Sequence, residues 1–135
     1  SYTACASPDF ARQRFPGGVT AASLQQAPYL RFDRRDLLQA RWARAAFDVD
    51  LLGPVHWVPS THGFVDLTLA GLGWSLHPRA MVEGHLAAGR LVELKPGTVL
   101  DVPLYWTVTR LHATVLRRLT EAVTTAARGY LVAGD

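Results

Sequence analysis

The sequence predicts an α/β domain with a largely parallel sheet, on three observations. Short apolar runs alternate with amphipathic stretches along the whole chain, the pattern of strands joined by crossover helices. One stretch, residues 55–78 (VHWVPSTHGFVDLTLAGLGWSLHP), holds a complete strand, polar cap, helix, glycine turn and second strand, which is a right-handed βαβ unit. Finally, 135 residues with 49% apolar and 19% charged content are enough for one domain with a sizeable core and leave no case for disorder.

Taken in order, residues 2–6 (YTACA) read as a strand broken at Ser7-Pro8, and residues 9–15 as a short helical turn ended by Pro16-Gly17-Gly18. Thr20 caps a brief helix over residues 21–26, and Pro28 closes it. Residues 29–32 (YLRF) alternate as a strand does. Asp33 is the expected cap of a helix over residues 34–46, with Leu37, Leu38, Trp42 and Ala45 on one face. Residues 55–58, between Pro54 and Pro59, are expected as a buried strand, followed by a mostly apolar helix carrying Phe64, Val65, Leu67, Thr68 and Leu69 that Gly71 ends in a left-handed turn. Residues 72–76 are the next strand, stopped by His77-Pro78; residues 80–88 are a helix and residues 91–94 a short strand. After the turn at Lys95-Pro96-Gly97, residues 102–109 (VPLYWTVT) read as a long strand. The last helix, residues 112–131, sets Leu116, Leu119, Val123, Ala126 or Ala127, and Tyr130 on one stripe.

Composition narrows the function classes. The formal charge of +3, from 14 Lys+Arg against 11 Asp+Glu, is spread along the chain and too weak to argue nucleic-acid binding. A single cysteine, Cys5, excludes an internal disulfide and a cysteine zinc site and fits a reducing compartment; on its strand it reads as an inert packed thiol. No apolar run approaches the ~20 residues of a membrane span and no signal peptide is seen, so the expectation is a soluble, cytoplasmic domain with no membrane contact. The chain starts as if in mid-strand, without methionine, which suggests a fragment of a longer protein.

Candidate sites are few. His56, His62, His77 and His85 fall in one third of the chain, near Asp66 and Glu83, but none forms a metal-binding HxxxH or HExxH pair, so no metal or cofactor is expected. There is no GxSxG elbow and no phosphate loop, and no catalytic residue is assigned. Asp33/Asp36 and Asp48/Asp50 read as solvated carboxylates, and Arg31, Arg34, Arg35, Arg41 and Arg44 as a solvated basic face. Ser60-Thr61 stands out. Two hydroxyls at the carboxyl end of a strand open a helix, where free N–H groups and the positive end of the helix dipole receive an anion or carboxylate; His62 lies beside them in the first turn.

Ser60-Thr61-x-x-Phe64-Val65 followed by LAGLGWSLHP at residues 69–78 resembles the effector domain of LysR-type transcriptional regulators, and LAAGRLVEL at residues 86–94 is similar to the helix-to-strand segment of that family. Pro103-Leu104-Tyr105-Trp106 before a long last helix, together with the hydroxyl cap, looks most like the ArgP/LysG (IciA) subfamily, regulators of basic amino-acid export. The resemblance implies a periplasmic-binding-protein-like (type 2) regulatory fold. Residues 1–103 would be its second subdomain, with the first crossover strand at residues 1–7. Residues 104–135 would be the return crossover strand and C-terminal helix of the first subdomain. A winged helix-turn-helix would precede the chain and carry all contact with promoter DNA. The resemblance also implies a dimer or tetramer, and an effector that is lysine or arginine, with histidine as a possible competitor. Ser60, Thr61, His62 and Phe64 would then line the effector cleft, Asp66 would be a partner for a basic side chain, and the apolar stripe of the last helix would lose much of its cover. Two other classes stay open: a solute-binding protein of the same fold class, and a small-molecule enzyme using His62 or His77 with Asp66.

Overall fold

The structure, a computed structural model, describes residues 1–110 and 114–131. The chain divides into two units, one of residues 2–100 and one of Ser1 with the residues from Asp101 onward.

In the first unit β1 (Tyr2–Ala6), α1 (Pro8–Arg14) and α2 (Ala21–Gln26) lead to β2 (Tyr29–Arg31), α3 (Leu38–Phe47) and β3 (Val55–Trp57). Then follow α4 (Thr61–Leu69), β4 (Ser75–Pro78), α5 (Arg79–Ala87), β5 (Val92–Glu93) and β6 (Val99–Leu100). The caps are local chemistry: Ser7 accepts from Phe10 N to start α1, and Thr20 and Ser23 cap α2 reciprocally.

The sheet is mixed where a largely parallel one was expected. β1 pairs antiparallel with β4 on one edge and with β5 and β6 on the other. β2 and β3 pair parallel, and Trp74, leading into β4, makes a parallel bridge to Tyr29. The reason lies in the connections. β2, β3, β4 and β5 are joined in succession by helices, and crossover helices return the chain in the same direction. β1 runs opposite to these strands and slots between β4 and β5. β5 and β6 are two halves of one edge strand, interrupted by a turn closed by Thr98 N to Lys95 O, with Gly97 at φ 78°.

Side-chain alternation on β1 builds two packing layers. Ala4 and Ala6 face Phe10, Phe15, Leu24, Trp42, Trp74 and Leu76, whereas Cys5 faces Val65 of α4, Val82 of α5 and Leu91. Cys5 is fully buried and its thiol is pushed up to about 12, first by burial and then by the Glu93 carboxylate, so it stays a protonated packed group. Gly73 is the closest approach in the central stretch. A Cβ there would sit 2.7 Å from Leu30 Cδ1 and 3.0 Å from Pro28 O, where Trp74 N bonds to Pro28 O.

Several expected elements shift. Asp33 does not cap α3: its carboxylate accepts from Arg35 N and Asp36 N in a turn of its own, and α3 begins only at Leu38. Its buried face is Gln39, Trp42 and Ala43 rather than Leu37 and Ala45, both of which are exposed. β3 is an outer strand with Trp57 half exposed beneath the Arg31 guanidinium, not a buried one. β4 runs through His77 and Pro78, because these pair with Thr3 and Tyr2 instead of ending the strand.

In the second unit, residues 102–109 form no strand: Leu104 and Tyr105 are exposed and no ladder partner is present among the described residues. A strand-like sequence becomes a strand only beside another edge. The final helix α6 spans Arg117–Tyr130; the expected start at residues 112 and 113 lies outside the described residues. None of its residues is buried, and its stripe is open, with Tyr130 85% exposed.

Gly73→Ala is expected to lower unfolding free energy by about 1–3 kcal/mol through overpacking against β2. Gly84→Ala, on the exposed side of α5 with nothing within 4 Å of the new Cβ, is expected to raise it by about 0.5–1 kcal/mol. Urea unfolding of the two variants checks the opposite signs.

Candidate functional site

At the carboxyl ends of β2 and β4 lies a cavity of about 250 Å³. Tyr2 and β4 residues Leu76, His77 and Pro78 form part of its wall, with Met81 from α5. Phe32, Asp36 and Leu38 come from the segment between β2 and α3, and Thr61 and Phe64 from the first turn of α4. The volume is slightly below the ~300–1,000 Å³ of pockets for drug-sized ligands and suits a molecule of amino-acid size.

Asp36 is the one carboxylate among the lining residues. Its Oδ2 accepts from Phe32 N at 2.9 Å and its Oδ1 from Leu38 N at 3.1 Å, which fixes the group while leaving each oxygen further acceptor capacity. Arg31 clamps the same segment, donating Nε to Asp36 O at 2.8 Å and Nη2 to Arg34 O at 3.0 Å, with its guanidinium over the Trp57 ring. Thr61 opens α4. Ser60 Oγ accepts from Gly63 N at 3.2 Å, so the hydroxyl of Ser60 is used in the cap, while the N–H groups of Thr61 and His62 have no helical carbonyl to donate to. A negative wall at Asp36 and a helix N-terminus at Thr61 thus border one cavity.

Behind the cavity sits a chain of buried polar groups. His77 is 1% exposed, and its Nε2 lies 2.6 Å from Ser75 Oγ and 3.1 Å from Thr68 Oγ1. The two hydroxyls are 2.7 Å apart, and Thr68 donates to Phe64 O at 2.8 Å. Phe64 packs edge-on to the His77 ring at 5.4 Å. Burial, and secondly the charge of His85, push His77 down to about 4, so the ring is neutral at neutral pH.

The comparisons decide the family. Residues 1–128 match the LysR substrate binding domain. The chain belongs to that family. It is 48% identical over 122 residues to the HTH-type transcriptional regulator ArgP of Pseudomonas aeruginosa strain UCBPP-PA14, covering 89% of this chain and 40% of the relative. Among solved structures, the C-terminal domains of a LysR family protein from Agrobacterium tumefaciens strain C58 superpose with TM-score 0.95 at 53% identity, covering 98% of this chain and 64% of that one. Full-length LysG from Corynebacterium glutamicum with bound effector Arg gives TM-score 0.75 at 28% identity, covering 98% of this chain and 45% of that one. This chain spans less than half the length of the curated relatives it matches. The fold of LysR effector domains is the periplasmic-binding-protein-like type 2 fold.

Of the residues singled out in the sequence, Thr61 and Phe64 border the cavity of this LysR-family domain. Ser60 caps α4 beside it; His62 and Asp66 are exposed and are not among the cavity-lining residues. Asp36, expected as a solvated carboxylate, is instead partly buried in the cavity wall, and His77, weighed among the histidines, is buried and lines the cavity as well; Tyr2, Met81 and the link from His77 through Ser75 to Thr68 were not anticipated. The alternation Trp74-Ser75-Leu76-His77 carried a signal for the last: one strand face is apolar and the other bears a hydroxyl and an imidazole. Among the described residues no group of three or more His, Cys, Asp or Glu is placed to hold a metal ion, and no helix is long and apolar enough to cross a membrane.

His77 takes up a proton near pH 6.5 when unfolded but only near 4 when folded. Its contribution to stability is therefore complete above about pH 6.5, declines as the pH falls, and is lost below about 4. A separation of roughly 2.5 units corresponds to about 3 kcal/mol. Urea unfolding between pH 7 and 4 should show that extra slope in the protein and not in a His77→Phe variant; parallel curves would contradict the burial of a neutral ring.

Proposed function

We propose that this chain is the effector-sensing part of a LysR-type transcriptional regulator and that its cavity receives a basic amino acid, arginine or lysine. The observation that carries this reading is the placement of a fixed carboxylate, Asp36, in the same cavity as Thr61 and the N-terminus of α4. The carboxylate attracts the cationic side chain, and the helix end receives the α-carboxylate. Phe64 shapes the wall between them and Ser60 acts by capping α4; His62 and Asp66 stand exposed on the same helix. Relatives named ArgP and a LysG structure described with bound effector Arg support the ligand class.

In this reading residues 1–103 are the second lobe of a two-lobed effector domain, residues 104–135 belong to the first, and α6 finds its apolar cover there. The effector changes the balance between two arrangements of a cytoplasmic dimer or tetramer by binding one of them better. DNA is held by a separate N-terminal helix-turn-helix, and the domain senses without catalysing a reaction.

Calorimetry on the full-length protein tests this with arginine, lysine, neutral amino acids and citrulline, the uncharged analogue of arginine. Arginine or lysine is expected to bind, with arginine preferred over citrulline by roughly 10- to 100-fold, the worth of a charge-assisted hydrogen bond. Asp36→Asn should abolish most of that preference. Absence of binding by every basic amino acid would remove the proposed ligand.

A further inference from the structure

The hydroxyl chain behind the cavity contains a proton count that decides which face of His77 a ligand meets. Three short contacts need three hydrogens: His77 Nε2 to Ser75 Oγ, Ser75 Oγ to Thr68 Oγ1, and Thr68 Oγ1 to Phe64 O. A carbonyl only accepts, so Thr68 gives its single hydroxyl hydrogen to Phe64 O. Ser75 must then supply the hydrogen between the two hydroxyls, and Nε2 must supply the one to Ser75. If Nε2 were unprotonated, Ser75 would donate to it, and the 2.7 Å contact between the hydroxyl oxygens would hold no hydrogen. The chain therefore runs His77 Nε2–H to Ser75 to Thr68 to the Phe64 carbonyl. A neutral ring carries only one N–H, so Nδ1 is left as an acceptor. No described group hydrogen-bonds Nδ1, and His77 is one of the residues that line the cavity.

We infer that the Thr68–Ser75 chain locks His77 in its Nε2–H tautomer so that Nδ1 accepts a hydrogen bond from the α-ammonium group of the bound amino acid, making His77 a specificity-determining residue. This rests on the proposed function for the ligand class and adds the recognition of its amino group. The placement is consistent with the other two contacts. Phe64 touches His77 and lies in the first turn of α4, so the ring stands close to the helix end assigned to the α-carboxylate, the neighbour of the α-ammonium in any amino acid. A ring held neutral by burial does not repel that cation. An imidazole fixed the other way round would present an N–H and reject it.

The test uses full-length protein labelled with ¹⁵N-histidine. Without ligand, His77 should give a pyrrole-like Nε2 and a pyridine-like Nδ1 resonance; a protonated Nδ1 overturns the inference. Saturation with arginine should move the Nδ1 resonance, and the desamino analogue of arginine, which keeps the guanidinium and carboxylate, should leave it nearly in place. In calorimetry, His77→Phe is expected to weaken arginine by roughly 5- to 20-fold while changing the desamino analogue less than about 2-fold. Ser75→Ala combined with Thr68→Val, which removes both hydroxyls within reach of Nε2–H, should shift population toward the Nδ1–H tautomer and weaken arginine in the same selective way. Arginine that binds without moving Nδ1, or variants that weaken both ligands equally, would overturn the inference and leave the proposed function standing. Failure of arginine and lysine to bind at all would overturn both.

Discussion

Strand β1 gives both of its edges away. Across one, Thr3 and Cys5 face His77 and Ser75; across the other, Cys5 and Tyr2 face Glu93 and Leu100. A five-residue strand that satisfies three neighbours at once leaves little freedom in register, since a slip of one residue would turn Ala4 and Ala6 away from the Trp42–Trp74 layer and Cys5 into it. Small side chains on β1 are what let tryptophans and helices close over it on both faces. The cavity inherits that precision, because Tyr2, at the start of β1, and Pro78, its partner, both stand on its wall.

The site is likewise built from backbone positions and not from loose side chains. Asp36 is held by two main-chain N–H groups and its segment by Arg31, so its orientation is set before any ligand arrives. His77 is held by a strand register on one side and a hydroxyl chain on the other. Thr61 is placed by the Ser60 cap. Three groups of different chemistry — an anion, a neutral acceptor and a helix N-terminus — therefore face one small volume, which suits a ligand carrying two cationic centres and one carboxylate.

Much of this was legible in the sequence. Residues 55–78 announced strand, cap, helix and strand because each boundary is enforced by a residue with a local mechanism: Ser60 by its hydroxyl, Gly71 by its positive φ of 79°. The family was readable from the same stretch. What stayed hidden depended on distant partners. The antiparallel entry of β1 follows from which strands it meets, not from its own residues. Asp33 and Asp36 look alike in sequence, and only the turn between them makes one a turn-former and the other a cavity wall. Residues 102–109 carry a strand pattern that joins no edge among the described residues, and α6 carries an apolar stripe that no described residue fully buries. His77 read as a strand stop because proline follows it, whereas Pro78 closes the ladder at its last pair, where a missing N–H is tolerated.

The arrangement of charge in the cavity sets the direction in which a basic amino acid must lie, and a crystal structure of the full-length protein soaked with arginine measures that direction. The guanidinium should lie on the Asp36 carboxylate, the α-carboxylate at Thr61 and the first turn of α4, and the α-ammonium within hydrogen-bond distance of His77 Nδ1. Arginine bound outside this cavity, or seated in it with its carboxylate toward Asp36, would contradict the assignment.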